Sequence, residues 1–229
     1  MGYQTLQGRI LLTYNSLRFG MFVITTTMPI VVVLWGYIFG VPWQNSVSEY
    51  YFALPTGGSV QPTYPCRVPF VGILFALGSF LYLYKGFSSR ENIALNLAGL
   101  CALGVALCPM RVEPGYIPSS NILHFTFAVL MFICMAYTAI FCHNETLRWV
   151  RDADRRLRFK TAYYIIGWFM GLFPLTGIIL AKSVDAVGQQ VFWIEAAGTW
   201  AFAAYWFTKS LELKESEVEL KMASRIVRA

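Results

Sequence analysis

Charge is scarce in this sequence, and that scarcity excludes a large class of proteins. Only 13% of the 229 residues are charged, whereas 57% are hydrophobic and 17% are aromatic. A soluble globular domain carries roughly 25% charged residues. The composition therefore excludes an ordinary soluble domain and predicts a polytopic membrane protein, with lipid as the solvent of much of its surface.

Histidine is also scarce, since the chain has only His124 and His143. A zinc site built on three histidines therefore cannot form within one chain. A haem held between facing helices needs paired histidines at one depth, and these two flank the same predicted span. The sequence also lacks a P-loop, a GxSxG motif, an HExxH motif and any CxxC pair. We therefore predict no metal and no cofactor.

Long apolar runs are abundant, and each is long enough to cross a bilayer as a helix of about 20 residues. No strand-like alternation interrupts them, which argues against a membrane barrel. The sequence predicts an all-α fold, a bundle of six transmembrane helices over residues 19–40, 67–85, 92–110, 121–142, 161–182 and 189–209.

The basic residues predict the orientation of this bundle. If the N-terminus is cytoplasmic, 15 of the 18 lysines and arginines lie on the cytoplasmic side. The positive-inside rule therefore favours cytoplasmic N- and C-termini. The stretch "RWVRDADRRLRFK" at 148–160 then contacts anionic lipid headgroups and predicts no nucleic-acid partner, although the net charge is +6.

The chain divides into a transmembrane domain, 1–210, and a cytoplasmic helical tail, 211–229. The tail alternates acidic and basic residues without glycine or proline, and it continues the sixth span as a helix. Its apolar positions, at 211, 218, 222 and 226, share one face. This face is a candidate surface for the inner loop, for a second copy in a homo-oligomer, or for a larger membrane complex.

Polar residues that collect at the outer ends of the spans are the candidate functional site, since a charge inside a membrane is costly and is usually retained for a function. Glu195 lies about 9 Å into the sixth span at 1.5 Å per residue. Its predicted ion-pair partner is Arg67 or His124. The predicted pocket for an ion or a headgroup contains Glu195, His124, Arg67, Ser48, Glu49, Tyr50, Tyr51 and Trp193.

A second polar group lies at the inner ends of the spans, and we interpret it as structural. Ser88 or Ser89 is expected to cap the third helix, with Glu91 in its first turn. Lys85 is expected to extend to the interface, and Asn96 to hydrogen-bond between helices.

Three segments carry a family resemblance: "SVSEYY", "RVPFVGILFALGSFLYLYKG" and "GVALCPM" followed by "ILHFTFAVLMF". Their order resembles a poorly characterised group of bacterial membrane proteins of unknown function. More distantly, it is similar to the ceramidase-like and progestin-receptor-like superfamily of membrane hydrolases. The resemblance covers roughly residues 46–135 and implies a bacterial inner (plasma) membrane location. The chain departs from the group's pattern at Val68, where an acid would follow Arg67, and at Cys108-Pro109, where the group has Phe-Pro.

The sequence is compatible with three functions. The first is a non-enzymatic membrane protein that binds an ion or a lipid headgroup in the outer pocket, as a transport, channel or lipid-binding component. The second is a structural partner that acts through its cytoplasmic tail. The third is a membrane-embedded hydrolase of a lipid amide or ester, with His124, Glu49 and Glu195 around a metal. The catalytic residues of the third are unknown, and membrane lipids are the partners common to all three.

Overall fold

The computed structural model describes residues 2–57, 63–111, 121–183 and 189–216, and the described chain is all-α, as predicted. These residues contain seven α-helices, one 3₁₀ turn (Ser48–Tyr51) and one π-helical turn (Thr138–Cys142). The α-helices are α1 (Gly2–Ile38), α2 (Arg67–Leu83), α3 (Ser89–Leu107), α4 (Asn121–Tyr137), α5 (Asn144–Leu147), α6 (Ala153–Ser183) and α7 (Gln190–Ser216).

Three stretches of the described helices are long and apolar enough to cross a membrane. They are Gly8–Ile38, Ser89–Leu107 and Asn121–Leu147, and α2 is a shorter apolar helix. Each of the three stretches contains most of a predicted span. The predicted fifth span falls within α6, and the predicted sixth span falls within α7 except for its first residue, 189. α7 continues without a break into the predicted tail as far as Ser216, and the rest of that tail lies outside the described residues.

The six long helices contact one another in a closed order. α1 packs on α2, α2 on α3, α3 on α4, α4 on α6, α6 on α7, and α7 returns to α1. This order places the segment 41–57 at one end of the molecule, here called the loop end. The segment 143–160 lies at the other end, here called the basic end. Large buried side chains fill the interior at both ends, among them Tyr50 and Phe70 at the loop end and Tyr163 and Trp206 at the basic end.

Small residues let α2 and α3 approach closely, as small residues do where helices pack in lipid. A Cβ atom built on Gly99 would lie 2.7 Å from the carbonyl oxygen of Gly78. Ala98, Ala102 and Ala106, spaced four residues apart on α3, are all buried.

Candidate polar sites

Residues 41–57 form a compact turn at the loop end that holds its own shape. The N–H of Asn45 donates to the Glu49 carboxylate at 3.1 Å, and the N–H of Glu49 donates to Ser46 Oγ at 3.2 Å. These reciprocal bonds resemble a capping box and fix the entry to the 3₁₀ turn. Burial raises the pKa of Glu49 above its ordinary value, and the bond from Asn45 opposes part of that rise.

Glu195 connects this turn to α7. Its Oε2 accepts the N–H of Val47 at 2.8 Å and the N–H of Ser48 at 3.3 Å. The carboxylate thus satisfies two amides at the start of the 3₁₀ turn, where a negative charge is favourable. The predicted ion pair of Glu195 with Arg67 or His124 does not form in the described part of the chain, because backbone amides occupy the carboxylate.

His124 connects the same turn to α4 and to the end of α3. Its Nδ1 lies 2.8 Å from the carbonyl oxygen of Cys108, and its Nε2 lies 3.2 Å from Ser48 Oγ. A carbonyl only accepts, so Nδ1 carries a proton, and in the neutral ring Nε2 accepts the Ser48 hydroxyl. His124 is buried and Ser48 is half-buried. The chemical result is a serine hydroxyl hydrogen-bonded to a neutral, oriented imidazole.

Arg67 lies at the start of α2 with its guanidinium over aromatic rings. Its Cζ is 4.7 Å from the ring centre of Tyr51, 5.1 Å from that of Phe52 and 4.3 Å from that of Tyr64. The guanidinium of Arg111 lies 5.5 Å from the Phe52 ring. Two cations therefore share one aromatic side chain. Among the described residues Arg67 has no carboxylate partner, and its buried Nε has no hydrogen-bond partner.

The remaining predicted pocket residues divide between the surface and the interior. Trp193 is 51% exposed and lies beside Trp43, with ring centres 6.0 Å apart, so it lines the outer surface of the loop end. Tyr50 is 1% exposed and packs against Gly36 of α1, so it belongs to the core and not to the mouth of a pocket. Tyr51 belongs to the aromatic group around Arg67.

A metal site does not form in the described ranges, since no three His, Cys, Asp or Glu side chains there are arranged to hold an ion. Glu49 faces the amide of Asn45, and Glu195 faces Val47 and Ser48. The carboxylates that the hydrolase hypothesis placed around a metal with His124 are therefore both bonded to backbone amides.

The predicted cap of α3 is present at the basic end. Ser88 caps α3 by accepting the N–H of Glu91 at 3.3 Å, as predicted, and the Lys85 ammonium lies 5.6 Å from the Tyr82 ring centre. Asn96 was expected to bond between helices, but its Oδ1 has no partner among the described residues.

The basic end also contains a buried ionic cluster that sequence reasoning missed. Glu91, Lys209 and Glu212 are each no more than 1% exposed. The sequence contained one signal, the spacing of Lys209 and Glu212 at i and i+3, but their position after an apolar run suggested an interfacial helix end.

An apolar groove lies between α1 and α7, away from both polar groups. Its volume is about 460 Å³, and it is lined by Phe22, Thr26, Ile30, Trp200, Ala203, Ala204 and Phe207. The Trp200 indole N–H donates to the carbonyl oxygen of Thr26 at 3.1 Å, which ties the two helices together at this groove.

Comparisons with protein-family models, with curated proteins and with solved structures give no match for this chain.

Proposed function

We propose that the chain is a six-span protein of the bacterial inner membrane, with cytoplasmic termini, that binds an anionic lipid headgroup at its outer face. The distribution of Lys and Arg supports this orientation, and the three apolar helices support the membrane location. In this orientation the loop end faces outward. The resemblance to bacterial membrane proteins of unknown function stays a prediction.

The main support for an anionic ligand is the environment of the Arg67 guanidinium. Its guanidinium is stacked among three aromatic rings, which orients it without consuming its N–H groups. Glu195, the acid expected to neutralise it, is bonded to backbone amides instead. A second guanidinium, that of Arg111, lies across the Phe52 ring. A planar guanidinium can bind a phosphate through two parallel N–H···O bonds, and Arg111 supplies a second cation at the same ring.

Glu195 and His124 have a supporting role in this proposal. They hold the 41–57 turn on α7 and α4, and the turn supplies Tyr51 and Phe52 to the stack around Arg67. The protein thus acts as a lipid-binding component, alone or in a membrane assembly, and needs no chemical reaction.

The ligand is tested by lipid binding to purified protein in detergent, with phosphatidylglycerol compared with phosphatidylcholine. Arg67→Gln should weaken phosphatidylglycerol binding by roughly 10- to 100-fold, because a hydrogen bond to a charged group contributes about 1.5–3 kcal/mol. Arg67→Lys should restore only part of it, because an ammonium lacks the planar fork. Arg151→Gln, an exposed change at the basic end, is the matched control. Equal binding by wild type and Arg67→Gln would refute the proposal.

The orientation is tested separately by thiol labelling of intact cells with a membrane-impermeant maleimide. Leu54→Cys at the loop end and Arg151→Cys at the basic end are both exposed positions, and Cys108→Ser removes the one native thiol that is not buried. The proposed orientation predicts labelling of Leu54→Cys alone. Labelling of Arg151→Cys alone would reverse the orientation.

A second candidate function rests on the contact between Ser48 and His124. A serine hydroxyl that donates to an oriented neutral imidazole is the arrangement of an activated nucleophile. This candidate is a lipid amide or ester hydrolase that uses Ser48 without a metal. A fluorophosphonate probe should then label the wild type and not Ser48→Ala. Equal labelling of both proteins would exclude this candidate.

A further inference from the structure

The buried cluster at the basic end is centred on the ammonium of Lys209. The Nζ atom donates to Thr146 Oγ1 at 2.6 Å and to Glu212 Oε2 at 3.2 Å. Two rings enclose the same ammonium, with the centre of Phe87 at 5.3 Å and that of Tyr163 at 5.7 Å. Residues from α5, α6, α7 and the turn before α3 therefore hold one positive charge in the interior.

Glu212 is the counter-ion of this charge. Its Oε2 accepts the Tyr163 hydroxyl at 2.7 Å as well as the Lys209 ammonium. Two donors therefore meet on one carboxylate oxygen, and one of them is charged. Lys209 and Glu212 thus form a neutral pair, which is the form in which buried charges are tolerated.

Glu91 is a second carboxyl in the same interior, and it forms no ion pair among the described residues. Its Oε2 accepts the N–H of Phe87 at 2.8 Å, while its buried Oε1 has no partner among the described residues. The charged groups that act on it most strongly are Lys209 and Glu212 from α7 and Glu145 from α5. Two of these three are acidic.

Lys209 is already paired with Glu212, so an ionised Glu91 is a carboxylate without an ion-pair partner among the described residues. Such a charge is expensive in a water-poor interior. Arg18, on α1, is the other buried cation among the described residues. Acceptor atoms without partners remain at the same end, namely Glu212 Oε1 and His143 Nε2. His143 stacks on Tyr163, with ring centres 5.6 Å apart, and its Nδ1 lies 2.9 Å from the carbonyl oxygen of Ala139. The imidazole is therefore oriented with its free nitrogen as an acceptor.

We propose that this cluster is a proton-binding site, in which Glu91 carries one exchangeable proton while Lys209 and Glu212 stay paired. A proton on Glu91 neutralises a buried carboxylate that has no ion-pair partner among the described residues. The site lies at the opposite end from the proposed headgroup site and does not depend on it.

Infrared difference spectroscopy of the full chain in lipid nanodiscs tests this site directly. The spectrum of the wild type at low pH minus that at high pH should contain the carbonyl stretch of one buried carboxylic acid, and the band should shift in D₂O. Glu91→Gln should lose that band. Glu145→Gln, whose side chain is 42% exposed and lies nearby, should keep it. A wild type without the band, or a Glu91→Gln variant that retains it, would overturn the proposal.

Lys209→Met gives an independent test of the charge count. Without the ammonium, Glu212 has no counter-ion, so it should also take up a proton and the number of buried protonated carboxyls should rise from one to two. A cluster that serves only as a structural ion pair predicts no protonated carboxyl in the wild type. Far-ultraviolet circular dichroism checks that each variant remains helical. An unchanged band in a folded Lys209→Met protein would contradict the proposed coupling.

Discussion

Replacing Glu195 by alanine isolates the energy that holds the 41–57 turn on α7. The change leaves two amide donors, those of Val47 and Ser48, without their acceptor. A buried donor without a partner costs about 1–3 kcal/mol. Both amides are only partly buried, so water recovers some of this energy, and we expect a loss of about 2–4 kcal/mol in the free energy of unfolding.

Glutamine at the same position separates hydrogen bonding from charge. Its side-chain oxygen can still accept an amide, but the bond is no longer charge-assisted. We expect Glu195→Gln to lose roughly 1 kcal/mol, well below the loss in alanine. If charge alone mattered, as in the predicted pair with Arg67, the two variants would lose equal amounts.

The measurement is reversible unfolding in mixed micelles, with the detergent composition titrated and helicity followed by circular dichroism. Glu145→Ala, which removes a partly exposed carboxylate in the weak 3.9 Å contact with Arg148, is the control and should change the free energy of unfolding by less than 1 kcal/mol. The reasoning is refuted if Glu195→Ala is no less stable than this control.

Two further predictions concern packing and pH. Gly99→Ala should destabilise the protein by about 1–3 kcal/mol because its Cβ would meet the Gly78 carbonyl at 2.7 Å, whereas Gly72→Ala, with open space around it, should be neutral or slightly stabilising, and thermal unfolding compares them. The raised pKa of Glu49 means that the folded state holds its proton more tightly than the unfolded state does. Glu49 therefore opposes folding increasingly as pH rises from its unfolded to its higher folded pKa, and by a constant amount above that. The melting temperature of Glu49→Gln should therefore match that of the wild type at low pH and exceed it at higher pH, and a constant difference would contradict this sign.

The helices were predictable because lipid requires long apolar runs and leaves few other patterns that satisfy the backbone. The Ser88 cap was predictable too, since it depends on residues three apart in the chain. The buried alanines of α3 followed from their spacing of four. In each case the prediction depends on residues that are close together in the chain or on a regular spacing of residues.

The partners of the polar residues were not predictable in the same way. Glu195 bonds to amides 147 and 148 positions earlier in the chain, and backbone donors leave no mark on the sequence. Lys209 and Glu91 reach one cluster only because α3 and α7 belong to the same ring of helices. A charged residue just beyond an apolar run looks interfacial, and only the packing of the neighbouring helices shows that it is enclosed.

The two ends of α7 have a mechanical consequence. Glu195 and Glu212 lie about 25 Å apart along the helix axis, and each bonds to a different part of the chain. A rod anchored at both ends resists sliding and rotation, because either displacement strains the amides of the 41–57 turn at one end and the Tyr163 hydroxyl at the other. Changes in helix arrangement should therefore carry α7, the loop and α6 as one unit.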